Sequence, residues 1–358
     1  MKYLNQYKIF ESDNNKVNRR YIKKLCGEYY ITDYKIWPDG TVDVDTDVNL
    51  NHFQNLRTIP LKFGVVTGQF VCDSSNLTSL SGSPDVISSS FDCDKNDLKS
   101  LAGGPRQVGG SYYCRDNSLT SLSGCPSEIG NNTTHYPTGF YCGDNKLTSL
   151  EGGPTEILGS SGNGHYSCSH NKLISLSGCP SQVNNFYCSD NKLTSLSGCP
   201  EKATSLFFDD NELTSLSGSP EEVGGIFTCN NNKLTSLSGG PKKVGGDFSC
   251  ARNNLTDLQG MPIVVGGNFS CGDNNITSLE GYNLVHGSFN CRGNPIYPVV
   301  CDFIKFDNKN DLIELFNDTD IIRDGDSIIW DRFVWFYEEI GVKLPNMNHV
   351  KNYYKIIE

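Results

Sequence analysis

The chain has 358 residues, 37% hydrophobic and 20% charged, with a net charge of −11, 36 glycines and 15 cysteines. No run of about 18 apolar residues exists, which excludes a membrane-spanning helix, and so acidic a chain lacks the basic surface that nucleic-acid binding needs. An odd cysteine count in a long chain, with no apolar leader in its first twenty residues, predicts reduced thiols in a cytoplasmic location rather than a secreted disulfide framework.

In chain order, residues 17–29 predict a basic helix. Residues 33–45, DYKIWPDGTVDVD, predict a hairpin, with a Pro-Asp-Gly turn between alternating apolar positions. Together they suggest an N-terminal cap over residues 1–47. Val48, Leu50, Leu56 and Ile59 read as a degenerate first repeat. From there to residue 300 the chain is periodic. Cys72, Cys93, Cys114, Cys142, Cys168, Cys188, Cys229, Cys250, Cys271 and Cys291 share one frame, and Phe208 fills the slot between Cys188 and Cys229. The steps are 20 or 21 residues, apart from two of 28 and 26. A fixed period in this range marks a solenoid. The unit reads Val-Gly-Gly-x-Phe-x-Cys-x-x-Asn-x-Leu-Thr-Ser-Leu-x-Gly-x-Pro. Phe-x-Cys has a period of two, so both side chains leave a short strand on one face. Stacked units give a parallel sheet with a Phe column and a Cys column inside. The Asn column is expected to satisfy backbone groups where the chain turns away. The Gly- and Pro-bearing return is too short for a helix and predicts extended or 3₁₀ segments. Residues 301–358 predict a helical C-terminal cap, with helices over 310–317 and 327–340 and a tail that packs back.

These positions resemble the leucine-rich repeat, L-x-x-L-x-L-x-x-N-x-L, over residues 48–300. The resemblance implies a β-rich solenoid with its parallel sheet on the concave face and a short, non-helical convex side. A narrower resemblance rests on PDGTVDVDTDVNL, IPLKFGVVTGQFVC, LTSLSGSP, GNPIY and DLIELFNDTDIIRDGDSIIWDRF. These are similar to leucine-rich-repeat proteins encoded by tailed bacteriophages, which implies a phage origin and synthesis in an infected bacterial cytoplasm. Secreted bacterial ubiquitin-ligase effectors carry a similar Leu-Thr-x-Leu turn, but they add a catalytic Cys-x-Asp motif that Cys301-Asp302 does not match.

No chemistry of catalysis emerges. The ladder cysteines repeat with the solenoid and have no histidine at ligand spacing, so neither metal nor cofactor is expected. The Val-Gly-Gly glycines precede strands, not helices, the wrong context for a phosphate loop. His135, His165 and His170 have no nameable nucleophile or acid partner.

The informative row is the residue between Phe and Cys, which points onto the opposite face. Tyr113, Tyr141, Tyr187 and Phe207 cluster there in the middle repeats, and aromatics are favoured interface anchors. Two insertions, GNNTTHYPTG and LGSSGNGH, precede strands in the same stretch and add His135, Tyr136 and His165 to the candidate surface. Asp116, Asp144, Asp190, Asp210 and Asp273 form an acidic row that either turn chemistry or binding could explain. The expectation is a non-enzymatic protein-binding module acting on a host protein, for example a defence component. A virion-associated structural or receptor-recognition protein is the alternative.

Overall fold

A computed structural model describes residues 17–51, 53, 56–131, 138–159 and 162–358. The chain divides into two units, Met1–Asn191 and Lys192–Glu358. In both, each repeat lays down one short strand at its Phe-x-Cys segment, and successive strands pair in parallel. In the first unit Phe70, Phe91, Tyr112, Phe140, Tyr166 and Phe186 are consecutive Cα partners. Their rings follow one another at 4.9–6.0 Å. In the second unit Leu206, Phe227, Phe248, Phe269 and Phe289 pair in the same way. The Phe208 exception is a swap of bulk. Leu206 takes the ring slot, and Phe208, in the Cys slot, meets Phe227 at 6.0 Å with the rings tilted by 56°. The aromatic thus moves to the other inward slot, and the strand pairing continues unbroken through Leu206 and Phe227. This parallel ladder of period-two strands makes the chain a leucine-rich-repeat solenoid.

The Asn column behaves as its position predicts. Asn253 Nδ2 donates to the carbonyls of Cys229 (3.0 Å), Cys250 (3.0 Å) and Ala251 (3.3 Å), and its Oδ1 accepts from the Leu234 N–H at 2.9 Å. One side chain thus pairs backbone groups of two repeats that would otherwise be buried and unsatisfied. In the first unit Asn96 does the same for Cys72, Cys93 and Leu77. Ser75, the one departure in this slot, donates instead to the Leu50 carbonyl at 3.3 Å.

The return segments are extended, and they form a second parallel ladder. An apolar residue is the buried rung of each: Ile87, Val108 and Ile129 in the first unit, Val223, Val244, Val265 and Val285 in the second, with Gly-Gly following Val108, Val223, Val244 and Val265. The glycines that follow permit close stacking. A Cβ on Gly245 would lie 2.2 Å from the Gly224 carbonyl oxygen, so no other residue fits.

At the N-terminus the helix Arg19–Glu28 is capped by Asn18, whose side chain accepts from the Tyr21 N–H at 3.0 Å. The hairpin pairs Tyr34–Ile36 with Val42–Val44. Its second strand pairs with Phe63–Val66, so it is also the first rung of the second ladder. Val48–Asn49 is the first rung of the other.

Residues 301–358, expected as a helical cap, are only partly helical. Helices Lys309–Asp318 and Trp330–Glu339 form as expected, but Ser327–Ile329 is a strand between Ile322–Arg323 and Lys355–Ile357. The expected helix over 327–340 therefore starts three residues late. Asp324 and Gly325, both at positive φ, close the turn that commits Ile328 and Ile329 to a strand. This segment also hydrogen-bonds to backbone groups of the last repeats. Asn310 Nδ2 donates to the Val285 carbonyl at 3.0 Å, and Tyr354 Oη donates to the Thr277 carbonyl at 2.8 Å.

Candidate functional site

The outward slot of the first unit carries Val71, Asp92, Tyr113, Tyr141, Ser167 and Tyr187, each half-buried. Parallel pairing sets Tyr113 beside Tyr141, and their rings stack 4.8 Å apart at an interplanar angle of 5°. The Tyr141 ring lies over Gly139, where an added Cβ would meet it at 2.6 Å. Glycine there lets the ring lie flat against the strand. Burial, with Tyr113 and Tyr187 nearby, raises the Tyr141 pKa. Tyr187 stands one rung beyond Ser167, and its hydroxyl accepts from Asn185 Nδ2 at 3.1 Å.

Arg115 shares this face, two residues beyond Tyr113. Its guanidinium carbon sits 5.5 Å from the Tyr113 ring centre and 5.7 Å from that of Tyr141. Asp94 fixes it there: Asp94 Oδ2 accepts from Arg115 Nε at 2.8 Å, and Oδ1 accepts from the Arg115 N–H at 2.6 Å. The Asp94 side chain is only 8% exposed, and burial raises its pKa despite these bonds. Asp92, one rung from Tyr113, is pushed up to about 6. Burial is the main cause, and the Asp94 and Asp73 charges add to it. The stacked pair is therefore flanked on one side by a fixed guanidinium and by carboxylates under mutual repulsion.

The other expected residues fall in different places. His165 lies on the same face, paired with Gly139, half-buried, with Nδ1 unpartnered among the described residues. Burial lowers its pKa. His135 and Tyr136 lie outside the described residues. Phe207 holds the outward slot of its strand but belongs to the second unit. In that unit the same slot continues as Thr228, Ser249, Ser270 and Asn290, with Ser249, Ser270 and Asn290 lining a cavity of about 360 Å³.

The acidic row has a structural cause. Asp116, Asp144, Asp190, Asp210 and Asp273 all occupy a left-handed turn position, with φ between 52° and 56°. Ser74, Lys95, His170, Asn231 and Arg252 hold the same conformation in other repeats, and Asp, Asn and His are the side chains that tolerate it best. The ladder thiols are buried. Burial pushes Cys93, Cys114 and Cys229 well above their ordinary range, and Cys291 up to about 12. Cys125, Cys179 and Cys199, in the Gly-Cys-Pro turns, are half-buried. Among the described residues, no three His, Cys, Asp or Glu side chains are placed to hold a metal ion, and no helix is long and apolar enough to cross a membrane.

The Asp92–Asp94–Arg115 arrangement is not visible in the repeat consensus. Its signal is an Asp-x-Asp across one Cys slot followed one period later by Arg, which acquires meaning only once the strands are set in register.

No family model matches the chain, and no curated protein matches it. Among solved structures it is similar to YopM from Yersinia enterocolitica WA-314, at 19% identity and a TM-score of 0.35, over 69% of this chain. The chain spans about 64% of that protein's length.

Proposed function

We propose that this solenoid is a non-enzymatic protein-binding module whose docking surface is the outward face of the first unit, centred on Tyr113 and Tyr141. One observation carries the reading: two tyrosines are stacked flat on the side of the sheet that faces away from the core. The Phe and Cys columns already complete the interior, so these rings answer no packing need of the fold. Large aromatics in such a position are the side chains that anchor partners. Tyr187 extends the surface by two rungs, and His165 adds an imidazole beside it.

The phage-like segments at both ends of the chain support a phage-encoded protein directed at a host protein in the bacterial cytoplasm, a defence component being one such target. The test is affinity purification from the infected host, with wild type and the Tyr113→Ala, Tyr141→Ala variant run side by side. A host protein retained by wild type and lost by the variant supports the reading. Equal retention by both places the docking surface elsewhere. Finding the chain in purified phage particles, with no host protein retained, would favour a virion component instead.

A further inference from the structure

The chemistry of the partner can be narrowed, on the premise that this face is the docking surface. Next to the tyrosine pair, Asp73 and Asp92 point outward from neighbouring rungs. Arg115 is the nearby cation, and its Nε and backbone N–H are both committed to Asp94. Among the described residues Asp73 Oδ2 accepts from Ser74 Oγ, at 3.1 Å, and Asp92 Oδ1 from the Asp94 N–H, at 3.0 Å. No ion pair to Asp73 or Asp92 forms among the described residues. Lys95 occupies the exposed turn slot of its repeat, and Asp116 and Asp144 line the same turn row. The face therefore presents more carboxylates than cations, on a chain whose net charge is −11.

Aromatic faces beside carboxylates suit a guanidinium or an ammonium, since the ring quadrupole and the anion attract the same group. The fold already contains one example of this contact, Arg115 over Tyr113 and Tyr141. We propose that the first unit docks a basic, extended segment of its partner, with one Lys or Arg set against Asp73 and Asp92 and its stem along Tyr113. Three rung spacings separate Asp73's strand from that of Tyr141, about 15 Å, which four or five extended residues span. A metal ion is the poorer occupant, because no suitable set of ligands is assembled among the described residues and Asp94 is already held by Arg115.

The probe is a fluorescein-labelled octapeptide of alternating Gly and Arg, with its Gly-Glu counterpart, measured by anisotropy on the full chain at about 150 mM salt, where long-range attraction is screened. The arginine peptide should bind wild type and the glutamate peptide should not. Asp73→Asn with Asp92→Asn should weaken binding about tenfold or more, because Asn keeps the acceptor oxygen and removes the charge. Glu201→Gln with Glu222→Gln, exposed acids of the second unit, should change nothing. Lowering the pH from 7.5 to 5 should weaken wild-type binding, as Asp92 takes up its proton beside Asp73, Asp94, Arg115 and Lys95. Failure of wild type to bind the arginine peptide, an unchanged affinity in the Asp variant, or an equal loss in the Glu variant would overturn the proposal. A host partner lost by the tyrosine variant but retained by the Asp variant would remove the basic segment and leave the docking surface standing. A partner retained by both would remove both.

Discussion

The two units are built alike on the inside and differently on the outside. Inward, each repeats a ring slot, a small apolar slot and an Asn slot. Outward, the first unit places Asp92, Tyr113, Tyr141 and Tyr187 around Ser167, where the second, after Phe207 in its first strand, has Thr228, Ser249, Ser270 and Asn290. The inward slots are constrained by packing at interior density, where even one methylene is felt. The outward slot meets only the demand for strand propensity, which Thr and Ser satisfy as a tyrosine does, to within about 1 kcal/mol. A departure from small polar residues in that slot therefore reports something other than folding.

The inward equivalence can be broken by truncating matched rings. Phe140→Ala in the first unit and Phe248→Ala in the second should each cost about 3–5 kcal/mol, because each ring is fully buried between two others. Urea denaturation measures both. A large difference between them would mean that the interiors are not interchangeable.

Removing the amide column sharpens the same point at a smaller scale. Asn145→Ala and Asn232→Ala should each cost about 1–3 kcal/mol, since each leaves several buried backbone groups unpaired. Asn254, one position after the Asn slot and exposed, should stay within about 0.5 kcal/mol when changed to Ala. Equal melting temperatures for the three variants would refute the register.

Most of this interior was legible in the sequence, because each slot recurs eleven times and each recurrence repeats the same physical demand. Phe, Cys, Asn and Leu could be assigned inward from period and chemistry alone. What occurs once was harder to see. Ile329, Phe333, Phe336 and Ile340 have helical spacing, yet the Asp324-Gly325 turn holds Ser327–Ile329 in a strand before the helix begins. Two ring slots carry Tyr112 and Tyr166, and the Gly-x-Pro turns before them carry Gly104 and Gly153. A Cβ at those glycines would come within 3.3 and 3.1 Å of the tyrosine hydroxyls. The glycine precedes its tyrosine by eight residues in one case and by thirteen in the other, so no fixed spacing marks the pairing. The same holds for the site. The tyrosine row was readable from parity, whereas the tie between Asp94 and Arg115 depends on which strands adjoin.

The outward difference also carries a pH signature. The Asp92 carboxyl binds its proton more tightly in the folded chain than in the unfolded one, with a folded pKa of about 6. Its contribution to stability is therefore fully present below about pH 4 and is lost as the pH rises through 6. Asp92→Asn should remove that loss, raising stability at pH 8 relative to wild type by about 1–2 kcal/mol, the figure being reduced because the carboxyl is part-exposed. At pH 4 the two proteins should melt together. A variant less stable than wild type at pH 8 would mean that the carboxylate is compensated in the fold.

The most direct test sets the two outward faces against each other in binding. Against a host protein captured by the wild-type chain, calorimetry should compare Tyr113→Ala with Tyr141→Ala in one variant and Ser249→Ala with Ser270→Ala in the other. The tyrosine pair should weaken binding about a hundredfold while the melting temperature holds, and the serine pair should leave affinity unchanged. Loss of binding in the serine variant with affinity intact in the tyrosine variant would contradict the account and move the docking surface to the second unit.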